Sequence, residues 1–249
     1  MQQALKSRYE GIVNNLHEYS FHILGCGAIG SSAATQLARS GAINFFLYDM
    51  DKVEDVNVGV SQYNVQHVGK DKVQALNELI TDINPETEIE CLQGYFKDYI
   101  YNGKKDIAIL AFDTMDIRME AVKILCANAK QKPMCIIDGR MGAEHYQQYI
   151  IPKPDVNKYE KIWYSNEKMS ADPCNAKATS YCSNMSGSFI ANAVRKLVTG
   201  QPFNGNFSFN FPTMIMNKLC NSYGLNHHSL IGSVCRPNLK RGLFHIQGG

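Results

Sequence analysis

No C-x-x-C pair occurs among the eight cysteines of this 249-residue chain, so the ligand knuckles from which common structural zinc sites are built are missing. Cys26, Cys91, Cys126, Cys135, Cys174, Cys182, Cys220 and Cys235 lie mostly in apolar contexts and read as buried, reduced thiols. A zinc site drawn from Cys174, Cys182, Cys220, Cys235 and His227 or His228 stays open as an alternative, with a spacing unlike the usual ones. No apolar run nears the length of a membrane span, and the opening MQQALKSRYEG lacks the apolar core of a secretory signal, so the expected location is the cytoplasm. The net charge is only +2, without a long basic run, which leaves no electrostatic footprint for nucleic acid or for an acidic membrane surface. Internal repeats, low-complexity tracts and a convincing linker are absent too. One domain is therefore expected, its motifs within residues 1–212 and residues 213–249 an extension of it.

What the chain does have is apolar material, 45% of its residues against 19% charged, enough for a sizeable core. The most informative stretch is FHILGCGAIGSSAATQLARSGAINFFLYDMD, Phe21 to Asp51. A strand-like run, Phe21 to Leu24, delivers Gly25, Gly27 and Gly30, then SSAATQLARS reads as a helix stopping at Gly41, and a second strand from Ile43 to Tyr48 ends on Asp49. This is the pattern of a mononucleotide-binding half of a Rossmann-type fold. Gly25 permits the turn, Gly27 lets a ligand approach the backbone, and Gly30 lets helix and sheet pack closely. The free N–H groups of the helix start attract phosphate, and Asp49 would accept hydrogen bonds from ribose hydroxyls.

Elsewhere, Leu5, Tyr9, Ile12, Val13 and Leu16 predict a short amphipathic helix over residues 4–16. The stretch DKVEDVNVGVSQYNVQHVG lacks clean periodicity and predicts a loop over the mouth of the site. Val73, Leu76, Ile80 and Ile83 predict a helix closed by Pro85. Strands are expected at Ile89 to Gln93, Ile107 to Ala111, Met134 to Ile137, Tyr146 to Ile151 and Asn206 to Phe211, with helices over Met115 to Lys130 and Thr179 to Thr199. The polar excursion from Pro152 to Ala176 reads as a functional loop.

A glycine fingerprint alone fits any binder of NAD, FAD, S-adenosylmethionine or nucleotide. Downstream, in order, come Asp49-Met50-Asp51-Lys52-Val53, Asn57, Gln62, Gly69-Lys70-Asp71-Lys72, and Ala111-Phe112-Asp113 with Arg118 five residues on. In this series the sequence resembles the ThiF and MoeB family, which includes the adenylation domains of ubiquitin-activating enzymes. The resemblance spans roughly residues 5–212. It implies an α/β, Rossmann-like three-layer fold with a mostly parallel central sheet and antiparallel later strands. It also implies ATP with magnesium, adenylation of the C-terminal carboxylate of a small carrier protein or peptide, often ending in Gly-Gly, release of pyrophosphate, and a homodimer.

Carried over by residue, Gly25, Gly27, Ala28, Ile29 and Gly30 form the phosphate turn, and Asp49 with Asp51 the ribose side. Lys72 would contact phosphate, Asp113 would hold magnesium, and Asn57 and Gln62 would lie near the phosphates. Chemically, attack of a carboxylate on the α-phosphorus brings anions together, so cations must neutralise the developing charge. Taken singly, Lys72 could equally be a solvated helix-opening lysine, and Asp113 a cap for the helix near Met115. Arg118 could orient Asp113 or face solvent.

The departures are as specific as the matches. NVGVSQ carries Val60 and Ser61 where the family places an arginine, and Gly11 stands in for a second one after Arg8-Tyr9. Arg140, in IIDGRMG, and Arg8 are the candidate substitutes; the plainer role for Arg140 is a salt bridge to Asp138 or Glu144. Cys174, in ADPCNAK, resembles the segment that carries the acceptor thiol in ubiquitin-activating enzymes, and could instead be an inert loop thiol. The terminal Gly248-Gly249 could itself be activated or be a plain flexible tail. Two rival readings stay open: an NAD-dependent dehydrogenase, which Asp49 would suit, and a nucleotide-binding scaffold without catalysis, which the missing arginines favour.

Overall fold

The structure, a computed structural model, describes residues 9–13, 15–165, 178–202 and 204–219. The elements in chain order are β1 (Ser20–Leu24), α1 (Ala28–Arg39), β2 (Asn44–Asp49), α2 (Asp55–Val58), α3 (Lys72–Ile83), β3 (Glu88–Gln93) and β4 (Asp106–Leu110). They continue with α4 (Met115–Cys126), β5 (Cys135–Gly142), β6 (His145–Pro152), α5 (Val156–Glu160), α6 (Ser180–Val198), β7 (Phe207–Asn210) and β8 (Ile215–Lys218).

The eight strands form one sheet in the order β3-β2-β1-β4-β5-β6-β7-β8. The pairs among β3, β2, β1, β4 and β5 are all parallel, and those from β5 to β8 all antiparallel. The chain leaves β1 for β2 on one side and later returns to β4 on the other. Such a reversal opens a crevice at the C-terminal strand ends, where ligands bind in open α/β sheets.

Strand alternation sorts the apolar residues onto two faces. Phe21, Ile23, Phe45, Leu47, Ile107 and Ile109 pack under α1, α3 and α6, whereas Leu24, Phe46, Tyr48, Ala108 and Leu110 pack under α4 and α5. The central strands are buried on both faces, which is why they read as continuous apolar runs. Small residues bring α1 and α6 unusually close: a Cβ on Gly187 would lie 2.2 Å from Ser32 Oγ.

Four expectations need correction. Tyr9 to Ile12 forms a turn rather than helix, because Gly11 sits at φ +84, outside the helical region; residues 4–8 and 14 of that proposed helix lie outside the described residues. The helix expected to reach Lys130 ends at Cys126, where Asn128 turns its side-chain oxygen onto the Lys130 N–H. Strand β5 runs five residues past Ile137, to Gly142, because β6 pairs with it along the whole length. Strand β8 has no counterpart among the expected elements: its four residues are all exposed, so no alternation marks it.

Candidate active site

A cleft of about 390 Å³ lies at the C-terminal ends of β1, β2, β4 and β5. It brings together Gly25, Gly27, Ala28, Ile29, Asp49, Asp51, Lys72, Asp113 and Arg118, drawn from separate stretches of the chain.

The glycine turn has the geometry that its residues suggest. Gly25 adopts φ +99, and an added Cβ would sit 2.8 Å from the Ala111 carbonyl. Gly30 lies so close to the turn that its Cβ would be 1.8 Å from the Gly25 oxygen. A Cβ added at Gly27, by contrast, would meet no heavy atom of the described residues within 4 Å, and this glycine opens onto the cleft. It also precedes α1 without any side-chain cap, so the first-turn N–H groups at Ala28 and Ile29 receive no side-chain acceptor. An uncapped helix start beside open space is a receptor for an anion.

Asp49 is 7% exposed and accepts from two backbone amides, Cys26 N–H at 2.7 Å and Asp51 N–H at 2.9 Å, one on each carboxylate oxygen. Each oxygen keeps acceptor capacity toward the cleft. Burial raises its pKa, and the nearby Lys72 offsets this only in part. Lys72, the first residue of α3, holds its ammonium 2.8 Å from Asp51. Burial would lower the lysine pKa, but Asp51 and Asp49 outweigh it and raise the value.

Tyr63 ties the two halves of this corner together. Its hydroxyl donates to Cys26 O at 2.6 Å and lies 3.1 Å from Lys72 O, so it links the glycine turn to the start of α3. Burial pushes its pKa well up and keeps the phenol protonated as a donor. No motif points to Tyr63.

Asp113 follows β4 and is exposed in the cleft mouth. The cap of α4 is Thr114, whose hydroxyl accepts from Ile117 N–H at 3.4 Å. Asp113 is therefore not consumed as a helix cap, and its carboxylate stays open to the cleft. Among the described residues no group of three or more His, Cys, Asp or Glu could hold a metal ion by itself. One carboxylate in a roomy cleft fits magnesium only where a polyphosphate supplies further oxygen ligands.

Arg118 neither faces solvent nor bonds to Asp113. It is 4% exposed, donates to Leu110 O at 3.1 Å and pairs with Asp138, a fully buried carboxylate on β5. Arg140 turns onto the same carboxylate, Nε at 3.0 Å and Nη2 at 2.6 Å, and donates to Ile162 O at 2.9 Å. Its guanidinium lies over the rings of Tyr149 and Tyr164 at 4.5 and 5.3 Å. Tyr159 adds a hydrogen bond to Asp138 at 3.1 Å. Burial alone would raise the Asp138 pKa, but the flanking arginines hold it below the usual carboxylate range. Of the two candidate partners for Arg140 it is thus Asp138 that takes it, and Arg140 does not line the cleft.

Two further expectations part from the geometry. Asn57 turns its oxygen onto Glu54 N–H at 2.9 Å and closes the cap of α2, outside the cleft lining. Gln62 bonds through its backbone N–H to Ser31 and through its side chain to Asn184 on α6, bracing the loop against α1 and α6 instead of reaching the cleft. Cys174, Arg8, Gly248 and Gly249 lie outside the described residues, as do Cys220, Cys235, His227 and His228. Cys182 is buried on α6. No helix among the described residues is long and apolar enough to cross a membrane.

The comparison with known proteins agrees with this architecture. The ThiF family model matches residues 2–226, and the chain belongs to that family. It is 29% identical over 159 residues to ubiquitin-like modifier-activating enzyme 5 of Caenorhabditis elegans, covering 57% of this chain and 38% of that one. It is 35% identical over 106 residues to the tRNA threonylcarbamoyladenosine dehydratase of Bacillus subtilis, covering 41% and 42%. The chain thus spans about two-fifths of these relatives' length. Among solved structures, E. coli MccB with ATP superposes with a TM-score of 0.65 at 19% identity, over 83% of this chain and 64% of that one. A second crystal structure of E. coli MccB gives 0.67 at 18% identity over 93% and 76%. At these identities the likeness establishes the fold.

Proposed function

We propose that this protein is an ATP-dependent adenylyltransferase that activates the C-terminal carboxylate of a small carrier protein or peptide. The observation that carries the reading is the convergence of an uncapped glycine-turn helix start, Lys72 and Asp113 on one cleft. Membership of the ThiF family and the alignments with an activating enzyme and with MccB support it.

In this reading the N–H groups of α1 and the Lys72 ammonium bind the phosphates, and Asp49 accepts from the ribose hydroxyls with the capacity its two amide donors leave. A carboxylate oxygen of the carrier attacks the α-phosphorus, the new P–O bond gives an acyl adenylate, and the bond to the bridging oxygen breaks to release pyrophosphate. Lys72 neutralises charge that grows in that step. Asp113 would hold magnesium, which when bound screens the phosphate oxygens. A homodimer in the cytoplasm and transfer of the acyl group to Cys174 belong to the same proposal. Sedimentation, and trapping of a reducible thioester on Cys174, check the dimer and the thiol.

The test is exchange of labelled pyrophosphate into ATP in the presence of magnesium and candidate carriers. Lys72→Met should weaken ATP binding by about 2 kcal/mol, the usual worth of a charge-assisted contact, while the fold stays intact. Unaltered exchange in this variant would overturn the assignment of Lys72.

A scaffold reading has one observation in its favour. Lys72 and Arg118 are the only cations that line the cleft among the described residues, and the loop around Val60 and Ser61 offers no arginine. Nucleotide binding with no exchange against any carrier would select it. The dehydrogenase reading has less, since no histidine among the described residues lines the cleft.

A further inference from the structure

One connection in the parallel part of the sheet is built unlike the others. The passages from β1 to β2, β2 to β3 and β4 to β5 each carry a helix, whereas residues 94–105, between β3 and β4, form neither helix nor strand. Because the sheet runs β3-β2-β1-β4, this strap must cross β2 and β1, and it lays Phe96, Tyr99 and Ile100 on the face that holds Leu24, Phe46 and Tyr48. Its upper end belongs to the cleft: Gly94, Tyr95 and Phe96 line it, and Phe96 meets the Tyr48 ring edge-on at 4.9 Å. Its lower end is pinned on one buried oxygen at the start of β4, where Asp106 Oδ2 accepts from the Tyr99 hydroxyl at 2.7 Å and from Asn102 N–H at 2.8 Å. Gly94 and Gly103 bracket the strap at φ +124 and +150, with open space around both, so the backbone can turn at either end.

Under the strap lies His22, fully buried on β1. Its Nε2 is 3.4 Å from Asp106 Oδ2 without the alignment of a hydrogen bond, its Nδ1 is 3.3 Å from the Tyr48 hydroxyl, and the Tyr99 ring stands edge-on to it at 5.0 Å. The nitrogen that faces a carboxylate carries the proton, which leaves Nδ1 to accept from Tyr48. A second proton on the ring would turn the Tyr48 hydroxyl from donor to acceptor and place a charge beneath the strap. Around the ring stand Asp106 on β4, Glu90 on β3, and the phenols of Tyr48 and Tyr99, which burial keeps protonated. Burial lowers the His22 pKa by more than Asp106 and Glu90 raise it.

We propose that residues 94–103 form a hinged gate on the cleft, latched by Tyr99 on Asp106, and that His22 is the positioning residue through which a proton releases it. The inference rests on the adenylyltransferase reading for the nucleotide that is gated, and adds regulation to it. Opening the strap returns the imidazole to water, where its pKa is the ordinary one of about 6.5, so the open form takes up a proton that the closed form refuses. As pH falls below that value, opening becomes easier by at most about tenfold per pH unit, until the lowered pKa of the closed form is reached. Burial would raise the Asp106 pKa, but His22, Tyr99 and Asn102 outweigh it, so this carboxylate stays ionised throughout the window.

Hydrogen exchange of the full chain, corrected for the intrinsic effect of pH, measures the gate at the Asn102 amide that Asp106 holds. In the native protein its protection should fall several-fold between about pH 7 and about pH 5.5, while amides inside α1 keep theirs. His22→Gln can still donate to Asp106 but has no proton to gain, and should flatten that profile. Tyr99→Phe keeps its ring against His22 and should lower the protection about tenfold at neutral pH, the worth of a hydrogen bond to a charged acceptor. Release of labelled magnesium-ATP should accelerate in step with opening, in Tyr99→Phe and in the native protein as pH falls. Native protection that ignores pH, or a pH dependence that persists in His22→Gln, would overturn the role of His22. Unchanged protection in Tyr99→Phe, or release that does not follow opening, would overturn the gate, and both remain readable if His22→Gln fails to fold. A native protein that binds no ATP would instead defeat the adenylyltransferase reading, whereas the protection of Asn102 is measured without nucleotide and tests the latch by itself.

Discussion

Two buried carboxylates flank the cleft and are stabilised in opposite ways. Asp49, at the end of β2, meets only backbone N–H groups, and burial leaves its ionised form disfavoured. Asp138, on β5, meets two guanidiniums and a phenol, and its ionised form is favoured despite complete burial. Asp49 thus resembles a group kept available for a ligand, with its charge underused by the protein. Asp138 is spent on internal partners and governs how much charge they show. The difference teaches that a buried acid near a cleft is read from the identity of its donors and not from its burial.

The sharpest way to break this comparison is to delete each acid in turn. Asp138→Ala leaves two guanidiniums facing one another in the interior and should destabilise the fold by about 3–5 kcal/mol. Asp49→Ala forfeits two amide hydrogen bonds but also removes a desolvated charge, so its loss should be about 1–2 kcal/mol. Urea unfolding of both variants measures the gap. Equal losses would mean that the two sites differ in geometry only.

Acid titration sharpens the same contrast through its sign. The folded pKa of Asp138 is lowered, so its stabilisation is complete above the unfolded value near 3.9 and is lost as pH falls through the folded value. The folded pKa of Asp49 is raised, so its penalty is complete above that raised value and is relieved as pH falls. Relative to Asp138→Asn the native protein should therefore lose its advantage in acid, and relative to Asp49→Asn it should gain. Taking differences against variants matters, because His22, whose pKa burial lowers, also opposes folding in acid. Parallel slopes for the two variants would contradict the assignment.

How much of this is legible in the chain follows from the range of each interaction. The β1–turn–α1–β2 unit is local: glycine spacing, an apolar run and a helical period all fall within Phe21 to Asp51, and each survives in the fold. Lys72 and Asp113 can be named because they stand in an ordered series, and the fold brings both to the glycine turn. The pairing of Arg140 with Asp138, two residues away, is one of the two that the sequence offers, whereas Arg118 can be named but not placed, because Asp138, which decides where it points, lies on a different element. Asn57 and Gln62 go astray for a similar reason. Short polar side chains in a loop satisfy the nearest backbone or helix, and nothing in NVGVSQ says which that is. Gly11 defeats an otherwise regular helical stripe by a single backbone angle. Strand β8 exposes every side chain and so writes no pattern at all.

Tyr63 is the residue that no pattern reveals, and it tests whether the Asp49 side of the cleft is held by one tie or by many. Its hydroxyl spans from the carbonyl of Cys26, in the glycine turn, to the carbonyl of Lys72, at the start of α3. Tyr63→Phe keeps the ring among its buried neighbours and removes only that tie, leaving two carbonyls without their shared donor. The loss should be about 1 kcal/mol in urea unfolding, the smallest effect among these variants. Because the tie sets the spacing between the glycine turn and the lysine, ATP affinity should fall by a similar fraction, whereas Asp138 and its arginines, on the far wall, keep their geometry. A drop in stability with no change in ATP affinity would show that Lys72 finds its place through Asp51 alone, and that the two sides of the cleft are more alike than their carboxylates suggest.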